Sequence, residues 1–229
     1  MALPAQPNQS LIDGLACLQA ISVADEAVGT RQLARQLGLE TTRVSRLLGT
    51  LAHLGLAEKD ENRRYRPGPA VHVLAAQAMF GSGLLRRAMK HLDELRQTGL
   101  MVAMGVLWQD RVTYLYHGSA ETPPAEAIGH VRLYPARRSG LGLALLAERT
   151  FAQIDALYRG AARREVKQAV RQTRRRGYAL AQRDDGRTLG AALQGGHAAI
   201  GLAGAFADTD IPRLVERLTV AARRIDSET

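Results

Sequence analysis

Between Glu40 and Gly55 the stretch ETTRVSRLLGTLAHLG brings hydroxyl and guanidinium groups to a spacing that can hold an anion. Wound at about 3.6 residues per turn, it gathers Val44, Leu47, Leu48, Leu51 and Leu54 into one apolar stripe. Thr42, Arg46, Gly49, Thr50 and His53 fall opposite, with Arg43 and Ser45 on the flanks, and that face carries no acid. Solvated helix faces usually mix both signs of charge, so a small, hydroxylated and basic face predicts an anionic partner at close range. Thr41, Thr42, Arg43, Ser45 and Arg46 are the candidate contacts, because arginine can bind guanine bidentately while hydroxyls hold phosphate. Arg31, in the preceding segment, joins them.

Three other stretches offer chemistry. In RRYRPG, Arg63, Arg64 and Arg66 are placed to touch phosphates or a minor groove. In RREVKQAVRQTRRR, Arg163, Arg164, Lys167, Arg171, Arg174 and Arg175 lie along one side of a helix opposite Val166 and Val170. A solvated face is the preferred explanation there, and a second DNA contact the alternative. The sequence RRSGLG, Arg137 to Gly142, fits the loop by which acetyl-coenzyme A transferases hold pyrophosphate on backbone amides at a helix start. An enzyme of that kind needs a general acid or base, and Tyr178 and His197 could be nominated, although nothing in their spacing supports it. The six histidines are scattered without a ligand pair at helical spacing, so neither a metal nor another cofactor is expected.

Presenting the polar face at Thr42 and Arg46 requires a small domain beneath it. Ser10 is a candidate cap for a helix to about Ile21 with Leu11, Leu15, Leu18 and Ile21 as its stripe and Cys17 beside them. Thr30 is the cap candidate for a second helix through Leu37, which Gly38 stops. Ala34, Gly38, Val44 and Leu47 have the spacing of a helix-turn-helix, and GLAEKDENRRYRPG then reads as a hairpin with its turn at Asp60 to Asn62 and a returning strand from Arg63 to Arg66. A helix from Pro69 breaks at Gly81 to Gly83, where the domain boundary is expected.

The second half reads as a helix closed by Gly99, strands in LMVAMGVLW, RVTYLYHG and IGHVRLY, and helices near 141–148, 151–158 and 161–176. Strands near 178–183, 189–194 and 198–206 follow, then a last helix near 209–225. This predicts a mixed sheet with helices, in the α+β class.

Composition agrees with a soluble protein. The 229 residues are 46% hydrophobic and carry a net charge of +9, which favours an anionic partner. Cys17 is the only cysteine, which excludes an internal disulfide and suits the cytoplasm. The opening residues lack a signal-peptide pattern, and no apolar run approaches the ~18 residues of a membrane span, so neither secretion nor a membrane partner is expected.

Taken in order along nearly the whole chain, RQLARQLGLETTRVSRLLGTLAHLGL, RRYRPGP, PARRSGLGLALLA, RRRGYALAQRDDGRTLG and AAIGLAG resemble the isocitrate lyase regulator (IclR) family of bacterial transcription factors. The resemblance implies a winged helix-turn-helix DNA-binding domain over 1–68, a linker helix over 69–82, and a GAF-like effector and oligomerisation domain over 83–229. It also implies a homodimer or homotetramer and an effector pocket lined by Gly140, Leu141, Ala191, Leu193, Gly201 and Ala203. An acidic position there corresponds to Asp184 or Asp185, in a region longer than the usual pattern. Two departures stand out: Leu143 occupies a position where the family often has lysine, and QGGHAA shortens the last hairpin.

The function expected is therefore that of a sequence-specific transcriptional regulator, read as a repressor of double-stranded DNA operators. Its affinity would be set by a small organic or aromatic acid held at the free amides of Gly140 and Leu141, with Leu193 and Ala203 around its carbon skeleton. An acetyl-coenzyme A-dependent acyltransferase fused to a winged domain is the alternative enzyme, and a winged domain that docks protein is a third class.

Overall fold

The computed structural model describes residues 6–183 and 186–228, with the side chains of residues 124 and 129–132 outside the described set. The chain divides into two units, Met1–Gly83 and Leu84–Thr229.

In the first unit, α1 (Gln9–Ser22), α2 (Thr30–Leu37) and α3 (Thr41–His53) precede the hairpin β1 (Ala57–Lys59) and β2 (Tyr65–Pro67), and α4 (Pro69–Ser82) follows. Cys17, Ile21, Val28, Leu33, Val44, Leu48 and Tyr65 form the core. Gly38 takes a left-handed φ of 66° and donates its amide to Ala34 and Arg35, so α2 stops and α3 starts within three residues. A side chain at that φ would be strained, which is why glycine ends the helix.

Several local expectations shift. Asn8, not Ser10, caps α1 by accepting from the Leu11 amide at 3.0 Å, and Gly29 precedes α2 with Thr30 inside the helix. The buried face of α1 is Asp13, Cys17, Ala20 and Ile21, whereas Leu11 and Leu15 face outward at 61% and 42% exposure. The returning strand begins at Tyr65, because Arg63 sits in the turn at φ 59° and the Asp60 side chain accepts from the Arg64 amide at 2.7 Å.

The second unit opens with α5 (Leu84–Arg96), then β3 (Met101–Trp108), β4 (Arg111–Gly118), the short α6 (Pro124–Ala127) and β5 (Ile128–Pro135). Helices α7 (Gly140–Ala147), α8 (Phe151–Leu157) and α9 (Gly160–Arg176) lead to β6 (Ala179–Arg183), β7 (Gly186–Ala192), β8 (Ala199–Gly204) and α10 (Ile211–Ser227). The strands form one sheet in the order β5-β4-β3-β8-β7-β6. Every described pairing is antiparallel, where the sequence predicts a mixed sheet. Short hairpins join β3 to β4, β6 to β7 and β7 to β8, and the helical crossover from β5 lands on the opposite edge, so no two neighbours run parallel.

Each face of the sheet is covered. Val102, Met104, Tyr116, Leu189, Ile200 and Leu202 pack with α5 and α10, while Ala103, Val112, Tyr114 and Ala199 pack with α7, α8 and α9. Glycines seat α7 on its strands. A Cβ at Gly140 would lie 2.6 Å from the Thr188 carbonyl oxygen, and one at Gly190 would lie 2.3 Å from the Gly140 carbonyl, so backbone approaches backbone there.

Candidate nucleic-acid interface and ligand cavity

Burying Val44, Leu48 and Leu51 turns the opposite face of α3 outward, and Thr41, Thr42, Ser45, Arg46, Gly49 and Thr50 are all exposed on it. The acid-free face read from the sequence is therefore presented as a surface. Arg31 is also exposed, at the start of α2. Arg43 differs. Its Nε lies 2.6 Å from Oδ2 of Asp13, a buried carboxylate that also accepts from Gln9 at 2.7 Å, so this guanidinium ties α3 to α1. Leaving Asp13 unpaired inside the domain would be costly, which gives Arg43 a structural task.

The wing arginines divide in the same way. Arg66 stands directly across the hairpin from Glu58 and holds it through Nε at 3.1 Å and Nη2 at 2.9 Å. Arg64 has Glu26 at 3.9 Å with both side chains largely in solvent, an arrangement worth little. Arg63 projects from the turn, exposed.

The proposed effector residues fall on both sides of the sheet. Gly140, Leu141, Gly201 and Ala203 are on the side of α7, whereas Ala191 and Leu193 are packed in the core with α5 and α10. Asp184 and Asp185 lie outside the described residues. Of the two amides expected to be free at the start of α7, that of Gly140 is occupied, donating to Thr188 Oγ1 at 2.7 Å, and the next turn is closed by Gly142 donating to Ser139 Oγ at 2.9 Å and Leu143 to the Ser139 carbonyl at 2.9 Å. A Cβ at Gly142 would lie 2.2 Å from the Ala136 carbonyl oxygen. RRSGLG is thus a packed turn rather than an open cradle for pyrophosphate, and Gly140 serves the packing of α7.

A cavity of about 290 Å³ opens on that side of the sheet, lined by Met101, Tyr114, His117, Tyr134, Arg183, Gly186, Arg187, Thr188, Ala203 and Gly204. Ala203 is the one described member of the expected set that lines it. Tyr114 stacks on Tyr134 at 4.9 Å and on His117 at 5.2 Å, giving the cavity an aromatic wall. Burial pushes the Tyr114 hydroxyl above its ordinary pKa, an effect that the adjacent Arg183 guanidinium partly offsets. Arg187 is engaged by Asp208 at 2.7 Å and by the Phe206 ring.

The sequence conceals this wall. Strict alternation would put Val112, Tyr114 and Tyr116 on one face. In the structure β3 pairs Met104 with Tyr116 but Gly105 with Tyr114, so Leu115 bulges out and the parity reverses. Tyr116 then turns to the α5 side, and His117 comes beside Tyr114.

A helix-turn-helix with a two-stranded wing, followed by an α+β unit holding a ligand-sized cavity, defines a winged-helix regulator. Residues 10–61 match the IclR helix-turn-helix domain. Over 199 residues the chain is 30% identical to the HTH-type transcriptional regulator TsaQ1/TsaQ2 of Comamonas testosteroni, spanning 79% of this chain and 69% of that protein. The chain belongs to the IclR family of transcriptional regulators.

Solved structures agree in fold. An IclR family regulator from Brucella abortus superposes with a TM-score of 0.81 at 20% identity, over 100% of this chain and 95% of that one. An IclR homologue from Microbacterium hydrocarbonoxydans, complexed with 4-hydroxybenzoate, does so at 0.67 and 18% identity, over 96% and 98%. Among the described residues, no helix is long and apolar enough to cross a membrane, and no cluster of histidine, cysteine and carboxylate side chains could hold a metal ion.

Proposed function

We propose that this regulator binds operator DNA through the exposed face of α3 and releases or tightens its grip when a small aromatic or other organic acid occupies the cavity beside Tyr114. Thr41, Thr42, Ser45 and Arg46 enter the major groove, Arg46 reading a base edge and the hydroxyls bonding phosphate or base. Arg31 and Arg63 contact the backbone, with Arg64 and Arg66 contributing charge only as far as their carboxylate partners allow. Arg43 holds α3 in place through Asp13.

Two copies act together, because one recognition helix reads too few base pairs, whereas a two-fold pair reads a near-palindrome with half-sites about one helical turn apart. The apolar surface of α4 supports this: Val73, Leu74 and Met79 are exposed and Phe80 is 88% exposed, more apolar area than a solvated helix gains from displaying. We place the protein in the cytoplasm, at the nucleoid, acting as a repressor.

The observation that carries the ligand class is the conjunction of a stacked tyrosine wall with Arg183 in one small cavity. Rings stack on the tyrosines, and a guanidinium pairs with a carboxylate. The relative bound to 4-hydroxybenzoate supports the same class. Release of DNA by a panel of benzoates, read by fluorescence anisotropy, tests it. At least one member should change the apparent DNA affinity of the wild-type protein severalfold, and Arg183→Met should blunt that response while binding DNA normally. A response that survives Arg183→Met unchanged would place the ligand elsewhere.

A further inference from the structure

The positive charge of this regulator is concentrated away from its helix-turn-helix. Met1–Gly83 holds eight basic and seven acidic residues, a net charge of +1, whereas Leu84–Thr229 holds twenty-three and fifteen, a net charge of +8. The seventeen residues of α9 account for most of that excess, with seven basic side chains and only Glu165 to oppose them.

Val166, Val170 and Thr173 bury one side of α9. On the opposite side Arg164, Arg171 and Arg175 stand seven and four residues apart, within about 20° of a single line. The line extends for about 16 Å, a length over which duplex DNA carries on the order of ten phosphate charges. All three are exposed, and among the described residues none has a carboxylate within ion-pair distance. The nearby acids are engaged by others: Asp155 holds Lys167 at 2.6 Å and Arg163 at 3.8 Å, and Glu165 holds Arg137 at 3.3 Å. Lys167, Arg171 and Arg174 also converge on the Phe151 ring at 5.5, 5.3 and 4.8 Å, crowding like charges around one aromatic.

A basic last turn has a local explanation, since cations at a helix C-terminus meet the negative end of its dipole. That accounts for Arg174 to Arg176 but not for Arg164 or Arg171, which lie in the earlier turns. Self-repulsion of this kind is relieved by a polyanion, and arginine's planar fork suits phosphate better than a point charge does. We propose that the Arg164–Arg171–Arg175 line is a second DNA-binding surface that engages the phosphate backbone of a duplex without reading its sequence. It adds to the contact made by α3 and needs no base-edge donors.

The test is the salt dependence of full-length protein binding a 60-base-pair duplex of random sequence, compared with R164Q/R171Q/R175Q and with R164K/R171K/R175K. Each phosphate contact contributes about 0.9 to the slope of log affinity against log salt. The glutamine variant should therefore lose about two to three units of slope and bind at least tenfold more weakly at low salt, while the lysine variant keeps most of both and all three proteins melt alike. An unchanged slope in a glutamine variant that still binds would overturn the second surface alone. Wild-type protein that fails to shift this duplex at any salt would overturn it together with the helix-turn-helix contact. Loss seen on phosphatidylglycerol vesicles but not on DNA would assign the line to another partner and reject the proposal.

Discussion

At the scale of single residues, polar groups that the core encloses set measurable limits. Tyr158 is 6% exposed, and its hydroxyl has no hydrogen-bond partner among the described groups. Burial, reinforced by the Asp110 carboxylate, pushes its pKa up to about 12, against the pull of Arg137 and Arg111. The folded state thus retains the proton more strongly than the unfolded chain. This stability is complete below the ordinary tyrosine value of 10.0 and is lost as the pH rises towards about 12. Tyr158→Phe should leave the Tm at pH 7 unchanged or raise it slightly, because an unsatisfied hydroxyl is removed, and should flatten the fall in stability between pH 10 and 12. Thermal melts across that range decide it, and an equal fall in both proteins would deny Tyr158 the role. Arg43 shows the other side of residue-level chemistry: its type and position read as a DNA contact, but its ion pair with Asp13 depends on a helix thirty residues earlier that no local pattern reveals.

At the scale of elements, the sequence is most legible where one residue type has one use. Gly38 at the helix-turn-helix corner and the stripe of Val44, Leu47, Leu48, Leu51 and Leu54 lead directly to α2, the turn and α3, because a left-handed corner and a three-and-four stripe each have few alternatives. Of that stripe the structure buries only Val44, Leu48 and Leu51, and it leaves Leu54, at the end of α3, 58% exposed. Glycine in RRSGLG had two uses, amide donation to an anion or close packing, and the sequence does not separate them. At the two glycines the structure decides for packing, since Thr188 takes the Gly140 amide, Ser139 takes that of Gly142, and the Thr188 backbone occupies the space where a Gly140 Cβ would go. Gly140→Ala should therefore lift α7 from β7 and cost about 1–3 kcal/mol in urea unfolding, whereas Gly81→Ala, with nothing within 4 Å of the added carbon, should be neutral or stabilising. Equal stability of the two variants would contradict the seat. The tyrosine wall was illegible for a different reason, because the bulge at Leu115 resets the alternation and only strand pairing shows it.

For the whole molecule, two claims join: a pair of chains, and a DNA sequence that the pair reads. Phe80→Glu places a charge on the outward apolar surface of α4 and should shift the protein towards monomer in sedimentation velocity without lowering the helix content. A dimer unaffected by that charge would move the interface elsewhere. The most direct test of the central claim is selection of fragments from a genomic DNA library by the wild-type protein and by Arg46→Ala. The wild type should enrich a near-palindromic site. Arg46→Ala, folded and equally stable, should bind that site about 1–3 kcal/mol more weakly and lose preference at the base it contacts. Enrichment of no sequence by the wild type, or of the same site with the same affinity by Arg46→Ala, would contradict the placing of α3 in the groove.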